Sequence, residues 1–211
     1  METTFGAHIS IIRPMINTDT LLAWGASYKK VSEGETIFSE GQSPHFYYQL
    51  DSGSVRWVNI SDEGKEFIQY LICPGESFGE IGLFDDVPQA ASAIANEDSV
   101  VLRLAKSTFL QLLKEEPEIH FAFSRLLSQR LRFKFLLLKE LAYADSEHRI
   151  TTLLEYFKES KKNICEKSNK VMLTRQQIAE MTGLRVETVI RSIRHLYDKG
   201  LVQINRGKVY C

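Results

Sequence analysis

Cysteine is scarce in this sequence, and the few cysteines present are not spaced as pairs. Only three occur in 211 residues, at Cys73, Cys165 and Cys211. Their odd number and wide separation offer no pair with zinc or iron–sulfur spacing. This use of cysteine is typical of a reducing compartment, which predicts a cytoplasmic protein.

Long apolar runs and a secretory signal are also lacking. No run approaches the roughly 18 to 20 residues needed to cross a bilayer. The first residues, METTFGAHISIIRPMI, lack a charged segment followed by an apolar one. Apolar residues make up 44 % and charged residues 25 % of the chain, which excludes wholesale disorder and a collagen-like repeat. We therefore expect a soluble protein that does not enter a membrane.

Net charge is nearly absent, but its distribution is uneven. The whole chain carries a formal charge of -1, whereas residues 145–211 contain 13 Lys and Arg against eight Asp and Glu. A basic C-terminal part on an acidic body indicates that only the C-terminal part meets a polyanion.

Short β-like runs dominate from about Gly34 to Leu104. Apolar, aromatic and β-branched segments alternate there with turn residues, as in an antiparallel β-barrel or jelly roll. The clearest unit is VRWVNISDEGKEFIQYL, a predicted hairpin whose turn is SDEG. Gly64 supplies the positive φ that such a turn needs.

The apolar period then changes to that of helices. Residues 109, 112 and 113 give a short helix an apolar face, and Pro117 begins a long helix that reaches residue 143. The long helix either packs entirely on its own β domain or adds a second copy of itself along an apolar seam. The candidate dimerisation residues are Phe123, Leu127, Leu131 and Leu138.

Three further helices are predicted near the C-terminus. The first has Asp145 or Ser146 as its N-cap, and its buried face is Ile150, Leu153, Leu154 and Phe157. Thr174 and Gln177 form a capping box that begins the next helix, which Gly183 ends. The last helix runs from about Arg185 to Lys199.

That last helix has two contrasting faces. Val189, Ile193 and Leu196 share one side, which we expect to be buried. The opposite side holds residue types that read base edges in the major groove of DNA: Glu187, Ile190, Arg191 and Arg194. The segment LVQINRGKVY then alternates like a hairpin that sets Arg206 and Lys208 against phosphates. The alternative is a solvated helix whose Glu187 and Arg191 form a surface ion pair.

A family resemblance follows from these residues. TRQQIAEMTGLRVETVIRSIRHLYDKGLV resembles the winged helix-turn-helix of bacterial Crp/Fnr-type transcription regulators, with Glu187, Thr188 and Arg191 as its core. CPGESFGEIGLF, residues 73–84, resembles the phosphate-binding cassette of the same family. The resemblance implies an α+β protein with a β-roll or jelly-roll sensor domain (1–116), a dimerisation helix (117–143) and a winged helix-turn-helix domain (144–211).

The same resemblance implies partners and a DNA-binding set. We expect a homodimeric regulator, not an enzyme, that binds RNA polymerase and an inverted DNA repeat. TTGA-like half-sites are expected because valine at position 186 is more typical of the Fnr branch than of the cyclic-AMP branch. The expected DNA-binding residues are Thr174, Arg175, Arg185, Val186, Glu187, Thr188, Ile190, Arg191, Arg194, Arg206 and Lys208.

The sensor departs from the family pattern. In cyclic-AMP-binding relatives the cassette has Gly-Glu for the ribose, matched by Gly79 and Glu80, and then Arg-Ser for the phosphate, where this chain has Ala90 and Ala91. The adenine-contacting pair would fall on Lys134 and Phe135, and neither residue matches. We therefore expect an effector other than a cyclic nucleotide. The effector-pocket candidates are Gly79, Glu80, Ile81, Ala90, Ala91 and Phe135.

The effector and any cofactor stay unidentified at this stage. An iron–sulfur cluster is not expected, because Fnr-type sensing uses four cysteines, mostly near the N-terminus, and no metal site is predicted. Haem bound by Cys73, His45 or His120 is one alternative. A small apolar or carboxylate metabolite, or no effector at all, are the others.

Two other classes of function are alternatives. A ligand-binding adaptor that regulates a protein partner would share the sensor fold but would not need a helix-turn-helix. An enzyme with a metal in its β-barrel would need clustered ligands, but the five histidines are dispersed: His8, His45, His120, His148 and His195.

Overall fold

The computed structural model describes residues 14–165 and 167–211. They form two compact units. The first unit holds the described residues up to Val55 together with Ile72–Ile119, and the second holds Arg56–Leu71 and His120–Cys211. Each unit is thus made of two separate chain segments, whereas the predicted domains are continuous segments that end at residues 116 and 143. Those domain boundaries stay a prediction.

The described residues contain the predicted strands and later helices in order, and also three elements that were not predicted: the helices Thr18–Ala23 and Ile81–Asp85 and the strand Ser27–Val31. The helices are α1 Thr18–Ala23, α2 Ile81–Asp85, α3 Lys106–Glu115, α4 Pro117–Tyr143, α5 Ser146–Ser160, α6 Arg175–Thr182 and α7 Val186–Asp198. The strands are β1 Ser27–Val31, β2 Thr36–Phe38, β3 Phe46–Ser52, β4 Val55–Ile60, β5 Glu66–Ile72, β6 Ser77–Phe78, β7 Ser92–Ala95, β8 Ser99–Ala105, β9 Gln203–Asn205 and β10 Lys208–Tyr210.

Antiparallel strands build the first unit, as the sequence predicts. One sheet has the order β1-β8-β3-β6, and β2 pairs with β7. Helix α3 packs its predicted apolar face, Phe109, Leu112 and Leu113, into the core. The Phe109 ring stacks on Tyr47 with centroids 4.6 Å apart. Burial of these large side chains supplies most of the stability of this unit, because each is worth roughly 1.5–3 kcal/mol.

The hairpin of β4 and β5 begins the second unit. Ser61 N donates to Lys65 O at 2.9 Å, which closes the predicted turn. Gly64 has φ +77°, a conformation that a residue with a Cβ atom adopts only with strain. The predicted hairpin is therefore confirmed.

Aromatic contacts join this hairpin to α4 and α5. Phe133 of α4 stacks on Tyr156 with centroids 4.2 Å apart and meets Tyr70 edge to face at 5.8 Å. The Arg130 guanidinium lies 5.0 Å from the centre of the Tyr70 ring and 5.6 Å from that of Trp57. One side of α4 is thus buried within its own unit.

The junction between α4 and α5 is bonded through backbone groups. Asp145 accepts the N–H of His148 at 2.9 Å, so it is the N-cap of α5. Arg149 donates to Ala144 O at 3.0 Å and to Leu141 O at 3.2 Å, and so satisfies carbonyls at the end of α4. The predicted inner face of α5 is buried: Ile150, Leu153, Leu154 and Phe157.

The C-terminal helices and the last hairpin complete the second unit. Helices α5, α6 and α7 pack on one another. Strands β9 and β10 pair antiparallel, with Asn205 opposite Lys208. This arrangement is a winged helix-turn-helix, and with the antiparallel sheets it confirms the predicted α+β class.

Candidate nucleic-acid interface and sensor site

Helix α7 has one buried and one exposed side, as its periodicity predicts. Val189, Ile193 and Leu196 are buried within the second unit. Burial of each contributes roughly 1.5–3 kcal/mol, which determines how the helix is rotated about its axis. The opposite side therefore faces solvent and exposes the predicted base-contacting residues Glu187, Ile190, Arg191 and Arg194.

Capping and one glycine set the turn that leads into α7. Thr174 Oγ1 accepts the N–H of Gln177 at 3.1 Å, and Gln177 Oε1 accepts the N–H of Thr174 at 2.9 Å, so the predicted capping box is present. Gly183 ends α6 with φ +66°. Arg185 is the N-cap of α7 and is exposed, but its side chain makes no capping bond. Its guanidinium is therefore available to a ligand.

The first turn of α5 is bonded to the C-terminal half of α7. Lys199 Nζ donates to Glu147 Oε2 at 2.8 Å, and His195 Nδ1 is bonded to Glu147 Oε1. The Ser146 and Ser192 hydroxyls lie 3.0 Å apart. The hydrogen bond from Lys199, and then that with His195, lowers the pKa of Glu147. A charged Glu147 thus holds α7 against α5 at neutral pH.

The tip of the β9–β10 hairpin carries the two predicted phosphate-contacting cations. Arg206 has φ +47° and Gly207 has φ +74°, so the chain reverses at these residues. Arg206 and Lys208 are both exposed. Arg175 Nη2 donates to Gly207 O at 3.3 Å, and partial burial lowers the pKa of this arginine. This hydrogen bond therefore connects the start of α6 to the β9–β10 hairpin.

The remaining predicted DNA-binding residues are less accessible. Val186 and Thr188 in the first turn of α7 are half-buried, as is Arg175. Thr174 is exposed, but its hydroxyl is used by the capping box. We expect these residues to act through short contacts to the backbone of DNA.

The outer face of α4 follows a heptad pattern. Its large apolar residues Leu131, Phe135 and Leu138 are exposed, although side chains of this type are usually buried. Their fractional exposure, with that of Phe121, lies between 54 % and 66 %. Spacings of three and four residues alternate along this face, as in a coiled coil. We call it the α4 seam: Phe121, Ser124, Ser128, Leu131, Phe135, Leu138 and Ala142.

The α4 seam corrects one residue of the predicted dimerisation set. Phe123 is fully buried within its own unit, so it is not on the exposed face. Leu127 is half-buried, whereas Leu131 and Leu138 belong to the seam. Helix α4 is apolar on two sides, and periodicity alone does not decide which side faces the protein's own core.

Two glycines shape the cassette that follows β6. A Cβ atom on Gly79, which has φ +75°, would lie 2.8 Å from Phe38 Cε1. A Cβ atom on Gly82 would lie 2.5 Å from Val87 O. Glu80 between them is completely buried. The cassette backbone is therefore packed too tightly at both glycines for a side chain.

The rest of the cassette supplies no cation. Ala90 is exposed and Ala91 is buried, and the buried Gln89 beside them donates from Nε2 to Gly79 O at 3.1 Å. Ile81 is 39 % exposed. Residues 79–92 include three carboxylates and neither Lys nor Arg. A phosphate placed here would find no positive side chain in this segment.

Lys134 and Phe135 lie in different surroundings although they are adjacent. Lys134 Nζ donates to Gln69 O at 2.6 Å and to Gln69 Oε1 at 2.5 Å. Burial, with repulsion from Arg130 as the second cause, lowers the pKa of Lys134 to about 8. Phe135, predicted to line the effector pocket, is exposed in the α4 seam.

The candidate haem ligands differ in accessibility. Cys73 is half-buried, whereas His45 and His120 are exposed. No group of three or more His, Cys, Asp or Glu side chains that could hold a metal ion occurs in residues 14–165 and 167–211. Over the same ranges, no helix is both long enough and apolar enough to cross a membrane.

Two family models match this chain, one on each side of α4. The model described as cyclic nucleotide-binding domain matches residues 28–116. The model described as Crp-like helix-turn-helix domain matches residues 148–210. The matches cover the cassette and the exposed face of α7.

Whole-chain comparisons agree with the two models. The cyclic AMP receptor protein of Thermus thermophilus is 30 % identical over 178 residues, which is 84 % of this chain and 80 % of that protein. The structure of FixK2 from Bradyrhizobium japonicum has a TM-score of 0.75 at 21 % identity and covers 88 % of this chain and 91 % of its own. The c-di-GMP responsive global regulator CLP of Xanthomonas campestris has a TM-score of 0.74 at 21 % identity, with 91 % and 96 % covered. At these identities the two structures establish a shared fold.

Proposed function

The chain belongs to the Crp/Fnr family of transcription regulators, and we propose that it is a homodimer that reads an inverted DNA repeat under an effector other than cyclic AMP. RNA polymerase is its proposed partner on the promoter, and the cytoplasm its proposed location. The observation that carries the proposal is the exposed face of α7.

That face has the chemistry of direct base readout. A helix fits the major groove of B-DNA, where an arginine pairs bidentately with guanine and a glutamate accepts from the cytosine amino group. Arg191 and Glu187 are exposed one helical turn apart on α7. Ile190 beside them offers an apolar contact to a thymine methyl group. We propose that Glu187 and Arg191 contact bases of a TTGA-like half-site. Ile190 would alter the preference at a neighbouring base.

Dimerisation through the α4 seam would supply a second copy of α7, which is the proposed recognition helix. The seam's exposed apolar side chains gain most if a second copy covers them, because each large side chain is worth roughly 1.5–3 kcal/mol on burial. Ser124 and Ser128 donate to backbone oxygens of their own helix, at 3.4 Å and 2.8 Å. Their hydroxyls are therefore satisfied without a partner chain. Two copies of α7 would then meet successive turns of one DNA face, roughly 34 Å apart.

The charge of the cassette argues against a cyclic nucleotide as the effector. A buried phosphate needs cations or N–H donors, and hydrogen bonds to a charged group are worth roughly 1.5–3 kcal/mol each. Ala90 and Ala91 offer no such side chain, and the Lys106 ammonium beside this segment is already paired with Asp86. An uncharged or apolar effector suits this segment better. Haem stays a proposal without a supporting contact.

A binding assay on selected DNA tests this function. A duplex recovered from a random pool by the wild-type protein serves as the probe. Arg191→Ala should weaken binding about 30-fold or more over two half-sites, because each bidentate contact is worth roughly 1–3 kcal/mol. Gel shift or fluorescence anisotropy measures the change.

Lys158→Ala is the matched control. It removes one positive charge from the same unit, at an exposed position in the last turn of α5. Its affinity should stay close to that of the wild-type protein. Equal losses in both variants, or full affinity in Arg191→Ala, would contradict base reading by α7.

A further inference from the structure

A groove runs along α7 beside the first turn of α5. Glu147 and Ser146 form one wall, and the exposed face of α7 forms the other. None of the described residues of α6 lines it. We call it the α5–α7 groove, and its lining is Ser146, Glu147, Glu187, Ile190, Arg191, Ser192, Arg194, His195 and Asp198.

The charges around this groove cancel, which is unusual for a surface that meets DNA. The cations are Arg191, Arg194 and Lys199, which is bonded to Glu147. The anions are the three carboxylates of Glu147, Glu187 and Asp198. The net formal charge is therefore zero when His195 is neutral, and +1 when its imidazole is protonated. Each cation that neutralises a phosphate releases counterions from DNA, so one added positive charge at this groove strengthens binding and steepens its salt dependence.

The bond to Glu147 determines what the other ring nitrogen of His195 can do. Glu147 is charged and can only accept, so His195 Nδ1 carries the proton between them. In a neutral ring Nε2 then holds a lone pair, which repels a phosphate oxygen. In the protonated ring Nε2–H becomes a donor. The His195 side chain is 55 % exposed, and in the described residues its ring bonds only to Glu147.

We propose that His195 is a DNA-contacting residue whose Nε2–H donates to a backbone phosphate only in the imidazolium form, so that DNA binding takes up a proton at each recognition helix. This inference rests on the proposed DNA-binding function. With α7 in the major groove, residues at the edge of the helix face the sugar–phosphate strands. His195 lies at that edge, next to α5. Glu147 acts as its positioning residue.

Linkage fixes the direction of the pH effect. Histidine is the side chain whose charge ordinarily changes between about pH 5 and pH 8. Contact with a phosphate favours the protonated ring of His195, so DNA binding takes up a proton. Affinity is then highest at low pH and falls as the pH rises, by up to about tenfold per pH unit for each His195 engaged.

Binding measured across pH tests the proposal, with the duplex selected by the wild-type protein as the probe. From about pH 6 to about pH 8 the wild-type dissociation constant should rise about tenfold or more. His195→Gln should change by less than about threefold, because its amide does not titrate over this range. His195→Lys, which stays charged, should bind tightly throughout. At low pH the wild-type salt dependence should exceed that of His195→Gln by about 0.9 per recognition helix.

His148→Gln is the matched control, because His148 is the next residue along α5 and pairs with Glu140 instead of Glu147. It should keep the wild-type pH profile. A wild-type affinity that does not vary with pH, or an equal pH dependence in His195→Gln, would overturn the proposal. Failure of the wild-type protein to bind any duplex at any pH would instead overturn the function on which the proposal rests.

Discussion

The exposed face of α7 and residues 79–92, which hold the end of the cassette and the two alanines that follow it, differ most in their positive charge. In the family that this chain resembles, both regions face phosphates. The α7 face keeps Arg191 and Arg194 exposed, whereas residues 79–92 have three carboxylates. The α7 face thus presents cations that phosphates and guanine bind, whereas residues 79–92 contain none.

The packing of the cassette and the charge of its surroundings depend on different residues. The cassette keeps its close-packed glycines, because a side chain at Gly79 or Gly82 would collide with neighbouring atoms. The position that carries the phosphate-binding arginine in cyclic-AMP-binding relatives is Ala90, which is exposed. Fold and effector specificity can therefore change separately.

The largest expected effect comes from separating the two recognition helices. Leu138→Asp places a charge in the α4 seam, where a partner chain would have to bury it. We expect a monomer by native mass, and a loss of DNA affinity of about 100-fold or more, because the second half-site no longer adds its binding energy. Analytical ultracentrifugation and anisotropy measure the two quantities.

Gln129→Asp is the control for the seam. Gln129 is exposed on α4 outside the seam, so this variant should remain a dimer with wild-type affinity. A Leu138→Asp variant that remains dimeric, or that binds DNA as tightly as before, would show that the seam does not pair the helices.

A smaller effect is expected from restoring the missing phosphate anchor. The double variant Ala90→Arg with Ala91→Ser should gain affinity for cyclic AMP by about 10-fold or more over the wild-type protein, because a charge-assisted hydrogen bond is worth roughly 1.5–3 kcal/mol. Calorimetric titration measures the gain. Ala90→Gln with Ala91→Ser, which adds bulk without charge, should gain much less. No difference between the two double variants would show that charge is not what the cassette lacks.

The smallest effect concerns the stability cost of Lys134. Its pKa is about 8 in the folded protein, against about 10.4 in an unfolded chain, so the unfolded state binds more protons between these values. Wild-type stability should therefore rise with pH through this window. Lys134→Met removes that cost but also the bonds to Gln69, for a net gain of about 1–2 kcal/mol at neutral pH.

The measurement for Lys134 is chemical denaturation at several pH values. The difference in the free energy of unfolding between Lys134→Met and the wild-type protein should decrease as the pH approaches about 10. A variant that is less stable at every pH, with an unchanged pH profile, would show that folding does not lower the pKa of Lys134.

Sequence alone predicted α7 well because a single strong period governs it. Val189, Ile193 and Leu196 are separated by three or four residues, and polar residues fill the other side, so only one rotation buries the apolar stripe. The caps were equally local: Thr174 with Gln177, and Gly183. Chemistry contained within a few residues needs no tertiary information.

Helix α4 was predicted less well because apolar residues occupy two of its sides. Phe121 and Phe123 are near neighbours in sequence, yet Phe121 is 66 % exposed and Phe123 is fully buried. The hairpin that covers the inner side is separated from α4 by dozens of residues. Which side it covers is a tertiary fact that helical periodicity does not contain.

Contacts between distant residues were missed for the same reason. Glu147 with His195, and Lys134 with Gln69, join positions 48 and 65 residues apart. Nothing in the local pattern marks either pair. A scan for acidic residues at helix N-termini near a predicted recognition helix would have singled out Glu147, though not its partner.

The proposed regulator binds DNA through α7 without needing a cyclic phosphate in its cassette. The most direct test measures the affinity of the wild-type protein for its selected duplex, with and without saturating cyclic AMP. We expect tight binding in both cases, with dissociation constants that agree within about twofold. Binding that appears only with cyclic AMP, or tightens by about 5-fold or more as allosteric coupling typically does, would contradict it.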